Sequence, residues 1–252
     1  MTPIGSDPEQ LRNFTGHVPL FPLPDAVLFP NALLPLMIFE PRYRQMVTDA
    51  LAGDGLIAMA LLKPGWEESY ETKSAPIRST VCIGRIASSK LLPDGRYQIV
   101  LEGLTRAEIL DEGQSSVEYR IARTELSPDM PTGLSRDERL RRQRELLVGF
   151  QQVAAGCDFD RTFHDSLDAD LPLGGLCDVI AYSLPLEPDV AQSILEESDV
   201  AARSLLVLDE LRNCIGSGVG RPSVFPPPLQ PELTRPQISC ESLSRSSFRR
   251  VP

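Results

Sequence analysis

The spacing of apolar and polar positions changes character along the chain, and the changes divide it. Between Val18 and Tyr43, short apolar runs alternate with prolines at 19, 22, 24, 30, 35 and 41. No helix interior accepts that spacing, because each proline removes a backbone donor and its ring clashes with the preceding turn. Val27–Phe29 and Leu33–Phe39 therefore read as short strands broken at proline corners. Glu40-Pro41 then opens a helix, since the first helical position tolerates proline. Tyr43, Met46, Val47, Ala50 and Leu51 share one face of it, and Gly53 is placed to end it.

Strand-like runs follow. Leu56–Lys63 is apolar up to the turn signal Pro64-Gly65, and the polar stretch Trp66–Ala75 reads as a surface loop. Thr80–Ser88 and Tyr97–Glu102 flank Pro93-Asp94-Gly95, where proline presets φ and glycine accepts a positive one. That is an antiparallel hairpin. Gly103 marks a corner before two further strands, Arg106–Asp111 and Val117–Leu126. At least six strands in about 110 residues, with short connections, fit a small closed or half-closed barrel.

After Ser127–Gly133, a linker by its two prolines and glycine, the period becomes helical. Ser135 and Glu138 form an S-x-x-E capping box. Leu140, Leu147, Phe150 and Val153 are the core positions of a helix reaching about Ala155. Residues 156–172 are acidic and irregular. Leu176–Leu184, Asp189–Glu197 and Val200–Ile215 are further helices, the last capped by Ser198 or Asp199. The pattern predicts an α+β chain: a flexible N-terminus over 1–15, a β-barrel subdomain over 16–126, a small helical subdomain over 134–215, and a disordered Pro/Ser/Arg-rich tail over 216–252.

Charge narrows the function. A formal net charge of −10 over 252 residues disfavours a nonspecific grip on nucleic acid or anionic membrane. No apolar run nears the about 20 residues of a membrane helix, and the first residues lack the basic-then-apolar order of a secretory signal. The cysteines, at 82, 157, 177, 214 and 240, are odd in number and form no C-x-x-C pair. Reduced, mostly buried thiols and a cytoplasmic location are expected.

The opening PLFPLPDAVLFPNALLPLMIFEPRYRQMV resembles the start of the N-terminal substrate-binding domain of Lon-type proteases. Ile83-Gly84-Arg85-Ile86, Leu92-Pro93-Asp94-Gly95-Arg96-Tyr97 and Gly103-Leu104-Thr105-Arg106 extend the likeness over roughly residues 16 to 215. The resemblance implies a PUA-like pseudo-barrel followed by a helical bundle. It also implies a module that engages apolar or unfolded polypeptide, in a groove between the two. It supplies no reaction.

Nor do the residues. The lysines are Lys63, Lys73 and Lys90, preceded by Leu62, Thr72 and Ser89, so no Gly-Lys-Ser/Thr P-loop is present. A Ser–Lys peptidase would have to use one of the same three lysines. The run Asp158, Asp160, His164, Asp165, Asp168 and Asp170 lacks the glycine and glutamate spacing of a calcium loop, and no close Cys or His pair suggests zinc. No catalytic residue, metal or cofactor is expected. Phe39, Glu40, Arg42 and Tyr43 are binding candidates, as a ligand clamp; a helix cap with a structural ion pair fits Glu40, Arg42 and Tyr43 as well. Trp66 reads either as a peptide anchor or as a cover on the barrel mouth. Arg139, Arg141, Arg142 and Arg144 form a basic patch suited to an acidic partner or to a solvated helix face. The expected function is a non-enzymatic protein-binding module, an adaptor or holdase for protein or peptide clients. RNA binding is the alternative, and a small hydrolase the third reading.

Overall fold

The structure is a computed structural model that describes residues 11, 14–113, 115–154, 171–217 and 249–250. Strand β1 (His17–Leu23) shows how a proline-rich strand enters a barrel. It pairs antiparallel with β6 (Arg120–Leu126) through residues 17–20 and parallel with β3 (Leu56–Leu61) through residues 20–23. Pro19 therefore has a strand neighbour only on the β6 side, and Pro22 only on the β3 side. Neither proline is asked for the N–H it lacks on two sides.

The ring closes through β4 (Thr80–Leu91) and β5 (Tyr97–Glu112), in the order β1–β3–β4–β5–β6 and back to β1. Strand β2 (Leu33–Ile38) lies outside this ring, antiparallel to the first half of β5. A two-residue strand β7 (Arg249–Arg250) pairs in parallel with Leu36 and Met37 on the outer edge of β2. Side chains alternate across the barrel wall. Val18, Leu20, Ala58, Ala60, Val81, Ile83, Ala107 and Ala122 fill one buried cluster, several of them small enough for a narrow barrel.

The opposite faces point into a second, larger core. Phe21, Phe29, Leu36, Ile57 and Leu101 meet Met46 and Val47 of α1 (Pro41–Ala52) there. Helices α2 (Arg136–Ala154), α3 (Leu173–Ser183), α4 (Pro188–Glu196) and α5 (Val200–Ser217) supply Leu146, Phe150, Ile180, Ile194 and Leu211 to the same core. The capping box forms as expected: Glu138 N–H donates to Ser135 Oγ at 3.3 Å, and Ser135 N–H donates to the Glu138 carboxylate at 2.8 Å. Asp199, and not Ser198, caps α5 by accepting from Ala201 N–H at 2.8 Å. Among the described residues no helix is long and apolar enough to cross a membrane.

Several expectations are corrected. Val27–Phe29 joins no strand, with Leu28 and Phe29 buried and Val27 partly so. Its corner is fixed instead by two backbone bonds, Asn31 N–H to Gly103 O and Gly103 N–H to Ala32 O, both 2.8 Å. Gly103 is not a break between strands, since β5 runs through it. It is the point where Phe29 lies against β5. Phe39 falls outside β2, and Leu140 is 40 % exposed while Leu146 takes the core position. The stretch Ser127–Gly133 is not a free linker: Ser127 N–H donates to Arg106 O at 2.9 Å and Met130 N–H to Ser198 O at 3.0 Å. The expectations for residues 1–10, for the acidic run 156–170 and for the tail from 218 to 248 lie outside the described residues.

A Cβ on Gly103 would sit 2.0 Å from the Phe29 carbonyl oxygen. Gly103→Ala is therefore expected to lower unfolding stability by about 1–3 kcal/mol or more through forced backbone displacement. Gly133→Ala, with open space around it, should change it by less than about 0.5 kcal/mol. Urea denaturation of both variants checks the difference.

Candidate functional site

Four charged side chains close off the seam between barrel and helices. Arg106 leaves β5 on the outer side and is 3 % exposed. Its Nη1 and Nη2 donate to the two oxygens of Asp178 on α3 at 3.1 and 2.5 Å, and Nε donates to the Leu195 carbonyl at the end of α4 at 2.8 Å. Arg203 on α5, fully buried, donates through Nη2 to Asp129 at 2.6 Å and through Nη1 to the Glu197 carbonyl at 2.8 Å. Its Nε lies 3.4 Å from Asp178, and Arg106 Nη1 reaches Asp129 at 3.3 Å. Two cations and two anions thus form one ring.

Gly174, at the start of α3, makes the ring possible. A Cβ there would come within 2.1 Å of Asp129 Oδ2 and 2.8 Å of Arg203 Nη2. Burial pushes the Asp178 carboxyl above its ordinary range, and the two guanidinium groups oppose that shift. For Arg106, burial works against the charge, but the Asp178 and Asp129 carboxylates together with the Cys82 thiol oppose it and the net shift is upward. Both Asp178 oxygens face guanidinium nitrogens, so cations and anions alternate around the ring.

Above this floor lies an open groove of about 680 Å³. One wall is the pinned segment 127–132 with Pro128, Met130 and Pro131; the other is the first turns of α2 with Arg136, Arg139, Leu140 and Gln143. Leu173, Gly174 and Gly175 of α3 close one end, beside Asn31 from the corner before β2. Met130 and Leu140 are 51 % and 40 % exposed, so apolar side chains face solvent across it. A volume of this size admits side chains of a bound chain.

The expected candidates assemble elsewhere. Glu40 takes the N-cap position of α1, but its side chain makes no capping bond, contrary to expectation. It accepts instead from Arg42 Nε and from the Tyr70 hydroxyl, each at 2.8 Å. Arg42 also donates to the Tyr70 carbonyl at 2.8 Å and lies 4.6 and 4.7 Å from the rings of Tyr43 and Tyr70. Trp66 meets Tyr70 edge-on, with centroids 5.1 Å apart. Glu40, Arg42, Tyr43 and Trp66 are thus brought together, as a clasp fastening the loop after β3 to the start of α1. Burial pushes the Tyr43 hydroxyl up to about 12. The cavity beneath the clasp measures about 10 Å³, room for no more than a single water. Phe39 takes no part in these bonds and is 37 % exposed.

Among the described residues no group of three or more His, Cys, Asp and Glu could hold a metal ion, and the acidic run from Asp158 lies outside them. Asp129, Asp178 and Arg203 escaped the sequence reading, and Arg106 figured there only within a motif. A signal was present: Asp178 is the single charged residue in LGGLCDVIAYS, and Arg203 falls on the buried face of its helix with Val200 and Val207. A charge at a core position demands a partner.

The fold has counterparts in known proteins. The ATP-dependent protease La (LON) substrate-binding domain model matches residues 17–213. The chain belongs to the Lon substrate-binding domain family. It is 30 % identical over 206 residues to a Lon protease of Trichlorobacter lovleyi, covering 81 % of this chain and 24 % of the relative. It is 27 % identical over 192 residues to Lon protease 2 of Bdellovibrio bacteriovorus, covering 75 % and 24 %. This Lon-type domain therefore spans about a quarter of the length of the curated relatives it matches. In fold it is similar to the N-terminal domain of the Mycobacterium avium complex Lon protease, with TM-score 0.62 at 17 % identity over 78 % of this chain and 98 % of that one. The Lon N-terminal domain protein of Xanthomonas campestris gives 0.56 at 22 %, over 77 % and 97 %.

Removing one ring member leaves buried charge unmet. Asp178→Ala is expected to lower stability by about 3–5 kcal/mol, read from denaturant midpoints. Burial also raises the thiols of Cys82 and Cys177, the latter to about 12, so both stay protonated near neutral pH. At pH 8 neither should react with iodoacetamide in the folded protein, and both should react in urea; peptide mapping of the alkylated protein checks this.

Proposed function

We propose that this Lon-family domain is a non-enzymatic binding module. It takes exposed apolar segments of unfolded polypeptide into the groove between barrel and helices, and serves as an adaptor or holdase. One observation carries this reading: an open groove of about 680 Å³ with Met130 and Leu140 left exposed on facing walls. A soluble domain that leaves facing apolar side chains in a cleft suits capture of a partner chain. The family's description as substrate-binding supports the same choice. The buried free thiols at 82 and 177 suit a reducing cytoplasm.

Nothing favours RNA. Arg96, Arg120 and Arg123 are each matched by a carboxylate, Asp94, Glu112 and Asp111, so they add no free basic strip to the barrel. Hydrolysis gains no support either: Lys73 donates to the Ser115 and Val117 carbonyls, and Lys63 and Lys90 are exposed on the barrel surface.

The test is suppression of aggregation of a chemically unfolded protein. The native chain should suppress it with little dependence on salt. The Met130→Asp/Leu140→Asp double variant should need about tenfold more protein for the same effect, since the lost apolar burial is worth about 1.5 kcal/mol or more. Phe39→Ser should leave suppression unchanged. Equal potency of native chain and double variant would place capture elsewhere or nowhere.

A further inference from the structure

The groove is not electrically neutral, and its imbalance names a class of client. This step rests on the reading of the groove as a polypeptide site. Its only acidic lining residues are Asp129 and Asp178 among the described residues, and both are engaged by the buried guanidinium groups of Arg106 and Arg203. That set sums to zero. Arg136 and Arg139 remain on the α2 wall. Both are exposed, and neither makes an ion pair or a side-chain hydrogen bond among the described residues. Of the acids near them in sequence, Asp137 is exposed and does not line the groove, Glu138 closes the capping box with Ser135, and Glu145 faces Arg141 and Arg142. A chain with a net charge of −10 thus holds two positive charges with no ion-pair partner among the described residues at the lip of this groove.

Further groups that can donate a hydrogen bond line the groove without a partner. Helical bonding in α3 begins with Leu176 N–H to Pro172 O at 3.0 Å, so the amides of Leu173, Gly174 and Gly175 precede the first bonded turn. Pro172 provides no side-chain cap. Thr132 Oγ1 is shielded from water without a partner. Arg136, Arg139 and Leu140 lie one turn apart on one helix face, with Gln143 held to the Leu171 carbonyl at 2.9 Å.

We propose that the groove selects extended polypeptide in which an apolar residue is flanked by aspartate or glutamate. The apolar side chain lies between Met130 and Leu140, and the side-chain carboxylate meets Arg136 and Arg139. The apolar contact supplies affinity in any client, and the arginines discriminate among clients.

Binding of short fluorescein-labelled peptides to the full chain, by anisotropy, tests this. The peptides share the same Leu and Phe residues, are blocked at both ends, and carry Glu, Gln or Lys between them. The Glu peptide should bind about threefold to tenfold more tightly than the Gln peptide, from two solvent-facing ion pairs, and the Lys peptide most weakly. The Arg136→Glu/Arg139→Glu double variant, checked for folding by circular dichroism, should reverse that order and leave the Gln peptide unchanged. Equal affinities, or a Glu preference that survives in the double variant, would overturn the inference while leaving polypeptide binding intact. Tightest binding by a Gln peptide with a free C-terminus would replace it with end capture. Failure of all peptides to bind would remove both this inference and the reading beneath it.

Discussion

The ring of Arg106, Asp178, Arg203 and Asp129 is the constraint on which the arrangement of barrel and helices depends. It draws one member from β5, one from the segment after β6, one from α3 and one from α5, and it also binds carbonyls at the end of α4. Three of these charges are buried and Asp129 is partly exposed, and buried charges are tolerable only when paired. Apolar packing alone would let the helices slide against the barrel with small changes in buried area. The ring does not, because any displacement leaves a buried charge unpaired. Its value lies in fixing one register more than in net stabilisation.

That register also decides where the molecule is open. The segment 127–132 is tied to the ring through Asp129 and to the start of α5 through Met130, and so it cannot fold down over the first turns of α2. Gly174 lets Asp129 approach α3 closely, which draws the floor together while the walls stay apart. At the start of α1 the opposite happens. The Glu40–Arg42–Tyr70 clasp pairs its carboxylate with its own guanidinium and hydroxyl and nearly fills its cavity. One charged cluster thus consumes its binding capacity internally, whereas the other supports a vacant groove. Both pair arginine with a carboxylate, and the geometry separates them.

Much of the local structure was legible in the sequence. Proline spacing excluded helices before Glu40, the hairpin at Pro93–Gly95 matches a Gly95 φ of +82°, and α1, α2, α4 and α5 begin at or within a residue of where capping signals put them. The Lon-type motif was readable for the same reason: it is made of turn and cap residues whose backbone demands are local. The failures involve partners distant in the chain. Val27–Phe29 has the composition of a strand, but the edge of β5 beside it is taken by β2 and by the Asn31 and Ala32 backbone. Leu140 has the period of a core residue, but the seam opens opposite it. Glu40 has the position of a helix cap, but Tyr70 and Arg42 compete for its carboxylate and win.

The sequence by itself therefore determined what each segment can do with its own backbone: which stretches bend, which extend, where helices start, and that charge sits at positions 106, 178 and 203. Tertiary structure alone decided what those charges meet. It also decided whether a predicted linker is free or pinned, and which apolar side chains are left facing solvent. The physical reason is range. Backbone preference is settled within a turn or two, but a buried charge and an open groove are properties of surfaces that come together only when strands and helices far apart in the chain have packed.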